Sequence, residues 1–327
     1  MQLQNKQYQQ LTLEPRYHIS ALREAGMTLR EIGKRIGVHY STISRELSRN
    51  KSSDGYDPKA AQQLSEHRKS HAEKANKKSD RLQDIIKTAI QLDWSPEALS
   101  QRLGVEGNAG DFLSHMTIYH RIEEDRQQGG NLYRLLPRFG KKRWKGGKRN
   151  NKAGVKHIPN RVDISQRPEI VDDRSRLGDW EGDTIHGQNA HLVTLVDRKT
   201  RFTLAKRVFS KTKEEVCDAM IEMLATAGAA LTLTLDNGVE FADHQRLSDE
   251  IGIDVYFAKP YASWQRGTNE NTNGRIRRFW PKKFDMANLS EQDIEDRIFL
   301  LNFTPRKVLN GLTPFEAFIG KRVALIT

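Results

Sequence analysis

The sequence is poor in cysteine, in long apolar runs and in apolar residues near its amino terminus. It holds one cysteine, Cys217, in 327 residues, which excludes a disulfide framework and a cysteine-ligated zinc site. A run of about 18 apolar residues, which a membrane-spanning helix requires, does not occur. The first 20 residues are polar and lack the apolar segment of a signal peptide. We therefore expect a soluble cytoplasmic protein without a membrane partner.

Positive charge is in excess, and it is unevenly distributed. The net charge is +12; residues 1–170 hold 32 Lys and Arg against 19 Asp and Glu, whereas residues 171–327 hold 22 against 23. All of the excess therefore lies in the first half. This asymmetry favours a polyanion-binding half joined to a half with a different role. The alternative is a basic protein that is simply well solvated.

Residues 1–52 have the spacing of a helix-turn-helix domain. Leu13 to Ala25 predicts one helix, and Gly26 ends it. Thr28 and Glu31 predict a capping box for a second helix, and Gly37 makes the turn into a third.

The third helix starts within HYSTISRELSRN, where Ile43 and Leu47 share the inward face. Its outward hydroxyl groups and arginines suit base edges and phosphates. The predicted DNA-contacting residues are Tyr40, Ser41, Thr42, Ser44, Arg45 and Arg49. A plain three-helix bundle is the alternative.

Residues 53–79 are polar and charged and predict a linker or an exposed helix. Residues 80–136 predict a second helix-turn-helix with an enlarged turn, because Ser95-Pro96 and Ser114 begin two further apolar-faced helices. The candidate DNA contacts of this module are Thr117, His120 and Arg121. A dimerisation bundle is the alternative.

Residues 137–171 form a basic linker. Ten Lys and Arg and no acid lie between Arg138 and Val162, so the segment cannot bury a core and should be disordered without a partner. Its charge suits phosphate tracking, and an aromatic ring there can stack on a base. The candidate contacts are Lys141, Lys142, Arg143 and Trp144. A solubilising linker is the alternative.

Residues 172–327 change to an α/β pattern. Three meandering strands precede helix, strand, helix, strand and helix, which is the element order of the ribonuclease-H-like fold; another α/β sheet is the alternative. The predicted strands are Leu177–Ile185, His191–Val196, Arg201–Phe209, one ending at Asp236, and Asp254–Ala258. The predicted helices are Lys213–Ala227, His244–Gly252 and Asn269–Trp280. The chain is thus expected to be multidomain, with all-α amino-terminal modules before an α/β domain.

Carboxylates gather in this half. Asp236 ends the alternating strand LTLTL, just before an Asn-Gly turn. Asp179, Glu181 and Asp183 share one face of an earlier strand by their period of two, and position alone does not choose among them. An ordinary turn is the alternative explanation for Asp236.

The last of these helices offers a further carboxylate. Asn273 and Arg277 lie at i+3 and i+7 from Glu270 and therefore on its face. Metal-assisted phosphodiester chemistry needs hard oxygen ligands and a cation for the DNA backbone. The alternative is an acidic first-turn residue that the helix dipole favours.

Three blocks in order resemble the DDE transposase and retroviral-integrase superfamily, and most closely the bacterial insertion-sequence-thirty family of transposases. They are Trp180-Glu-Gly-Asp183, Leu235-Asp236-Asn237-Gly238 with Glu240-Phe241, and Pro260-Tyr261-Ala-Ser-Trp-Gln-Arg-Gly-Thr-Asn-Glu270-Asn271-Thr-Asn273-Gly274. The 33 residues between Asp236 and Glu270 match the spacing in that family. The segment Asn302-Phe-Thr-Pro-Arg-Lys307 and the tandem helix-turn-helix arrangement are also similar, so the likeness covers nearly the whole chain.

The resemblance implies that Asp183, Asp236 and Glu270 form the catalytic, metal-binding triad. It implies two Mg²⁺ ions, with Mn²⁺ as a substitute, and it makes Asp179 and Asp197 bystanders. Arg277 takes the place of the basic residue after the catalytic glutamate, and Asn237, Asn269 and Asn273 join it as candidates for placing the scissile phosphate.

The activity implied is a DNA transposase that binds the inverted-repeat ends of its element and cleaves and joins strands on double-stranded DNA. It would act in the bacterial cytoplasm at the nucleoid, as a dimer or higher homo-oligomer on DNA. Two alternatives remain, a helix-turn-helix transcriptional regulator with a non-catalytic second half and a structure-directed nuclease.

Overall fold

The computed structural model describes residues 10–51, 55–70, 79–107, 111–140, 158–260 and 262–326. The chain divides into two compact units, Met1–Asn76 and Lys77–Thr327. The second unit contains the second helical module together with the α/β half. The finer division into five segments stays a prediction, and the four candidate contacts at residues 141–144 lie outside the described residues.

The first unit is a small helical domain with the expected helix-turn-helix elements. Its helices are α1 (Leu13–Glu24), α2 (Leu29–Ile36), α3 (Tyr40–Asn50) and α4 (Pro58–Ser70). The capping box is confirmed, because Glu31 Oε2 accepts a 2.8 Å bond from the Thr28 N–H and Thr28 Oγ1 accepts one from Glu31. Gly37 takes the left-handed conformation at φ 79° that a residue with a Cβ avoids. The fully buried centre is Ile19, Ile32 and Ile43.

Helix α4 occupies part of the segment that its composition predicts as a linker or an exposed helix. Ala61 is fully buried, and Gln62 accepts a hydrogen bond from Arg16. Arg16 is itself buried and pairs with Glu46 at 2.7 Å. Residues 58–70 therefore form a helix with one packed edge, which belongs to the first unit.

The helical module of the second unit has the expected three helices, α5 (Asp80–Gln91), α6 (Pro96–Glu106) and α7 (His115–Gln127). Ser79, Ser95 and Ser114 each accept the third backbone N–H of the helix that follows, which satisfies one otherwise unpaired donor. The core of the module includes Ile86, Ile90, Leu99, Ile118 and Ile122.

A five-stranded mixed sheet of order β3-β2-β1-β4-β5 forms the centre of the second unit. The strands are β1 (Asp179–His186), β2 (His191–Asp197), β3 (Thr203–Val208), β4 (Thr232–Leu235) and β5 (Asp254–Phe257). The first three pair antiparallel, whereas β4 and β5 pair parallel beside β1. This order confirms the predicted ribonuclease-H-like fold and makes β1 the middle strand.

Helices cover both faces of the sheet. They are α8 (Ile170–Asp173), α9 (Lys213–Thr226), α10 (His244–Ile251), α11 (Gly267–Ile276), α12 (Glu291–Asn302) and α13 (Pro314–Ile319). Trp180 packs in the cluster with α9 and α10, whereas Ile185 packs with α11 and α12. The alternation along β1 therefore turns its odd-numbered residues toward α11.

Helix α11 is shorter than the predicted Asn269–Trp280. It ends at Ile276 because the N–H groups of Arg278 and Phe279 bond to carbonyl groups three residues back, which tightens the last turn. Among the described residues, no helix is long and apolar enough to cross a membrane.

Candidate active site

Two predicted triad residues meet because their strands run in parallel and in register. Glu181 on β1 lies opposite Thr234 on β4. Two residues further along the chain come Asp183, still on β1, and Asp236, directly after the end of β4. Both carboxylates consequently reach the same edge of the sheet, beside the start of α11.

Arg266 lies between these two carboxylates. Its Nη2 is 3.0 Å from Asp236 Oδ2 and its Nη1 is 3.6 Å from Asp183 Oδ1. Nη1 also donates to the Gly182 carbonyl at 2.8 Å. The side chain is only 12 % exposed. One guanidinium group is thus shared by the two carboxylates.

Sequence reasoning did not assign Arg266 a role. The available signal was its place four residues before Glu270 and at the start of α11, which puts it on the same side of the helix as Glu270 and Asn273.

The surroundings of Asp183 disfavour its ionised form. Burial raises the pKa of its carboxyl, and the charge of Asp236 raises it further, while Arg266 opposes both effects. Asn273 Nδ2 donates to Asp183 Oδ2 at 2.7 Å, and the Thr184 N–H donates to Oδ1 at 2.9 Å. These bonds fix the orientation of a carboxylate that carries unfavourable charge.

Glu270 does not join the two aspartates in this structure. It lies in the first turn of α11, and its side chain is exposed. Among the described residues, no group of three His, Cys, Asp or Glu side chains is close enough to hold a metal ion.

Asp183 is less buried than the other two acidic residues of its strand. Glu181 is fully buried, where Arg198 pairs with it at 2.6 Å and the Asn269 N–H donates to it at 2.9 Å. Asp179 is fully buried too and pairs with Arg176 at 2.9 Å. Both carboxylates therefore already form ion pairs within the domain.

Asp197 is also fully buried, and it accepts hydrogen bonds from the Thr200 N–H at 2.7 Å and the Gly178 N–H at 3.0 Å. The first bond holds the turn between β2 and β3, and the second ties Asp197 to the residue before β1. Its carboxylate is thus occupied within the fold.

Two family models match separate parts of the chain. A helix-turn-helix domain model matches residues 7–50, and an integrase core domain model matches residues 173–263. The transposase for insertion sequence element IS4351 of Bacteroides fragilis is 38% identical over 313 residues, which cover 94% of this chain and 95% of that protein. The chain belongs to the insertion-sequence-thirty (IS30) family of transposases. It is a DDE-type DNA transposase.

Other members of the family match over similar lengths. Transposase InsI for insertion sequence element IS30A of Escherichia coli K12 is 33% identical, covering 96% of this chain and 84% of that protein. The transposase for insertion sequence element IS1086 of Cupriavidus metallidurans is 33% identical, with 94% of each chain covered. Among solved structures, the catalytic core domain of BIV integrase covers 43% of this chain and 93% of that chain, at 20% identity and a TM-score of 0.35.

The candidate side chains for placing the scissile phosphate differ in whether their polar atoms already form hydrogen bonds. Asn237 Nδ2 donates to the Ala258 carbonyl at 2.7 Å, and its Oδ1 accepts from Arg161. Asn269 is fully buried, and its Nδ2 has no partner among the described residues. Arg277 Nη1 is likewise buried without a partner in this part of the chain. Asn269 and Arg277 thus each leave one donor unpaired among the described residues, whereas Asn237 connects the turn after β4 to Ala258.

The predicted DNA contacts on α3 include four exposed side chains, Tyr40, Ser44, Arg45 and Arg49. Ser41 and Thr42 are half-buried, and Ser41 Oγ bonds to His39 Nδ1 at 2.8 Å at the start of the helix. The exposed arginines lie one turn apart on one surface of the first unit.

The predicted contacts on α7 differ in accessibility. His120 is exposed, whereas Thr117 is half-buried and its Oγ1 bonds to Ser114 Oγ at 3.0 Å. Arg121 is buried and pairs with Glu124 at 2.9 Å. Of the three, the transposase presents His120 most openly to a partner.

Proposed function

We propose that Asp183, Asp236 and Glu270 are the catalytic triad, and that they hold divalent metal ions. The observation that carries this proposal is the pair of aspartates on adjacent parallel strands, which share one guanidinium group at 3.0 and 3.6 Å. A site that attracts a cation and offers carboxylate oxygens suits a hard divalent ion.

The DDE integrase family of transposases uses divalent metal ions, and the donor set here fits them. We assign Mg²⁺, with Mn²⁺ as a substitute, and two ions for each site. Asp183, Asp236 and Glu270 would hold them. The ions supply Lewis-acid stabilisation of the charge that develops on the phosphate oxygens.

The reaction proceeds in two steps, each a displacement at phosphorus. In the first, a water oxygen forms a bond to the phosphorus, and the bond from phosphorus to the 3′ oxygen breaks, which leaves a 3′-hydroxyl group on the element's end. In the second, that hydroxyl oxygen attacks a phosphodiester of target DNA and displaces another 3′ oxygen. The water or hydroxyl proton leaves to solvent, and no covalent protein–DNA intermediate is formed.

The residues around the triad position these reactants. Asn273 orients Asp183 through its 2.7 Å bond. Asn269 Nδ2 and Arg277 Nη1 provide buried donors without partners among the described residues, which suits the non-bridging oxygens of the scissile phosphate. Arg266 bonds to both aspartates, and its charge would compete there with that of a divalent ion.

The helical modules bind the DNA substrates. The first helix-turn-helix and the module of α5 to α7 bind the inverted-repeat ends and the target duplex in the bacterial cytoplasm, at the nucleoid. Because two ends are joined to one target, the active species is a dimer or higher homo-oligomer on DNA.

A nicking and joining assay tests this function. The full chain is incubated with a duplex that carries the element's end, in Mg²⁺, Mn²⁺ or EDTA, and the products are resolved by strand. We expect metal-dependent cleavage at the end together with joined products. Asp236→Asn should lose both activities and keep end binding, whereas Asp254→Asn, the same change at an exposed residue of β5, should keep all three. Binding without cleavage under every metal condition would favour the regulator.

A further inference from the structure

A basic pocket of about 350 Å³ lies beside α11 and the segment after α12. Its basic lining residues are Arg174, Arg201, Arg275, Arg306 and Lys307, and none of the described Asp or Glu residues lines it. Lys307 is exposed, and the neighbouring Val308 is 68% exposed, so the pocket opens to solvent.

Arg306 is the most unusual member of this basic pocket. It is 6% exposed, and its Nη2 donates to the Leu301 carbonyl at 2.9 Å. Its Nε and Nη1 are buried without a hydrogen-bond partner among the described residues. A buried guanidinium with unused donors is costly unless an anion pairs with it. Within the described part of the chain, Arg306 therefore has no anionic partner.

The other cations of the basic pocket add to the positive charge around Arg306. Burial lowers the pKa of Arg306, and repulsion from Arg275 and Arg201 lowers it further. Burial and the charge of Arg174 likewise lower the pKa of Arg201, to about 10. Arg201 bonds within the fold to the neutral Thr268 Oγ1 at 2.9 Å and to a backbone carbonyl. The charges of Glu181 and Asp197 offset part of this effect at Arg201, whereas Arg306 bonds only to a backbone carbonyl among the described residues.

The basic pocket lies on a different side of α11 from the proposed catalytic residues. Its lining residues Thr268, Thr272 and Arg275 follow the i, i+4, i+7 spacing of one stripe. Glu270, Asn273 and Arg277 form a second stripe, in which Glu270 and Arg277 lie two residues beyond Thr268 and Arg275 and so about 200° around the helix from them. The body of the helix separates the two groups, so an anion in the pocket is not the scissile phosphate.

We propose that the basic pocket binds a backbone phosphate of DNA at a second point, across α11 from the proposed catalytic face. Guanidinium groups match the oxygens of a phosphodiester in charge and in geometry. Lys307 at the rim suits the adjoining phosphate. This assignment rests on the proposed function, since it takes DNA to be the substrate held against α11. A free phosphate ion is the other source of the same chemistry.

The test measures DNA binding by the full chain as a function of salt. A labelled duplex of random sequence is titrated with wild type, Arg275→Gln, Lys307→Gln and Arg306→Gln. The matched control is Lys213→Gln, which removes an exposed cation at the start of α9, on the opposite face of the sheet. Thermal unfolding identifies any variant that fails to fold, and exposed Lys307 tests the pocket without that risk.

Loss of one phosphate contact reduces the slope of log affinity against log salt by about 1. We expect that reduction and a several-fold weaker affinity in each pocket variant, and neither in Lys213→Gln. Equal slopes and affinities in all folded variants would overturn the proposal, while metal-dependent nicking by the same wild-type preparation would leave the triad intact. Absence of nicking together with the expected slopes would instead reject the proposed catalysis and keep the pocket.

Inorganic phosphate distinguishes the two sources of the anion. Its binding to wild type and to Arg306→Gln is measured by calorimetry. If Arg306→Gln loses phosphate binding while its DNA slope stays at the wild-type value, the pocket holds a free anion and the DNA assignment is wrong. If the DNA slope falls as expected, the DNA assignment stands.

Discussion

Arg102 and Glu316, which are 214 positions apart in the chain, form a buried bidentate ion pair with contacts of 2.6 and 2.9 Å. Arg102 belongs to α6 of the helical module and Glu316 to α13 of the α/β half. Both side chains are at most 1% exposed. The pair thus fastens a predicted DNA-binding module to the domain that carries the proposed triad.

Glu316→Gln should weaken this attachment. Breaking a buried pair leaves an uncompensated guanidinium group, and we expect a loss of about 3 kcal/mol in the free energy of unfolding. Thermal unfolding of the full chain measures it, with Glu295→Gln at an exposed position of α12 as control. Equal unfolding temperatures for the two variants would show that the pair does not stabilise the unit.

The same pair predicts the acid dependence of stability. Burial alone raises the pKa of Glu316, but hydrogen bonds from Arg102 and from the N–H groups of Thr313 and Val323 outweigh it and lower the pKa to about 2. A lowered pKa stabilises the folded state above the ordinary value of 4.5, and that contribution is lost as the pH falls toward 2. The stability difference between wild type and Glu316→Gln should shrink over this interval. A difference that stays constant would contradict the assignment.

Arg266→Gln should increase the affinity of the proposed triad for metal ions. The guanidinium bonds to the carboxylates that we assign as ligands, and a hydrogen bond to a charged group is worth about 1.5–3 kcal/mol. Replacing it should lower the dissociation constant for Mn²⁺ about tenfold. Calorimetry or the spin-resonance signal of free Mn²⁺ measures this without DNA. Arg266→Lys, which keeps the charge, is the control, and weaker Mn²⁺ binding by Arg266→Gln would show that the arginine supports the metal site.

The helices and strands of the fold were predictable from the sequence, but the side-chain contacts between them were not. Serine and threonine caps, the Gly37 turn and the period-two strands are local signals, and the predicted elements appear in the structure. By contrast, Asp179, Glu181 and Asp183 share one strand face, so the sequence could not tell which carboxylate is internally paired. That distinction depends on Arg176 and Arg198, whose positions are set by tertiary packing. Arg266 was missed for the same reason, because it meets Asp183 and Asp236 only when β1 and β4 align.

Asn273→Ala tests whether the amide positions Asp183. The substitution removes the 2.7 Å bond to Oδ2 and leaves the proposed ligands unchanged. Loss of a bond that orients a metal ligand typically costs about 10–100-fold, so nicking should fall by that factor while end binding persists. Asn288→Ala, at an exposed asparagine before α12, is the control. Restoration of the rate by higher Mg²⁺ would support weakened metal binding, whereas unchanged nicking would remove Asn273 from the site.

Glu181→Gln and Asp183→Asn should have opposite effects on stability and catalysis. Glu181 is fully buried against Arg198, so its loss should cost about 3 kcal/mol and lower the unfolding temperature by about 6–12 °C. Asp183 carries a carboxyl whose pKa is raised by burial and by Asp236, so Asp183→Asn relieves unfavourable charge. It should unfold at a temperature at least as high as wild type does, yet lose metal-dependent nicking. Glu181→Gln, assayed below its unfolding temperature, should still nick. If both variants lost stability and retained nicking, Asp183 would be a structural residue and the triad would have to be reassigned.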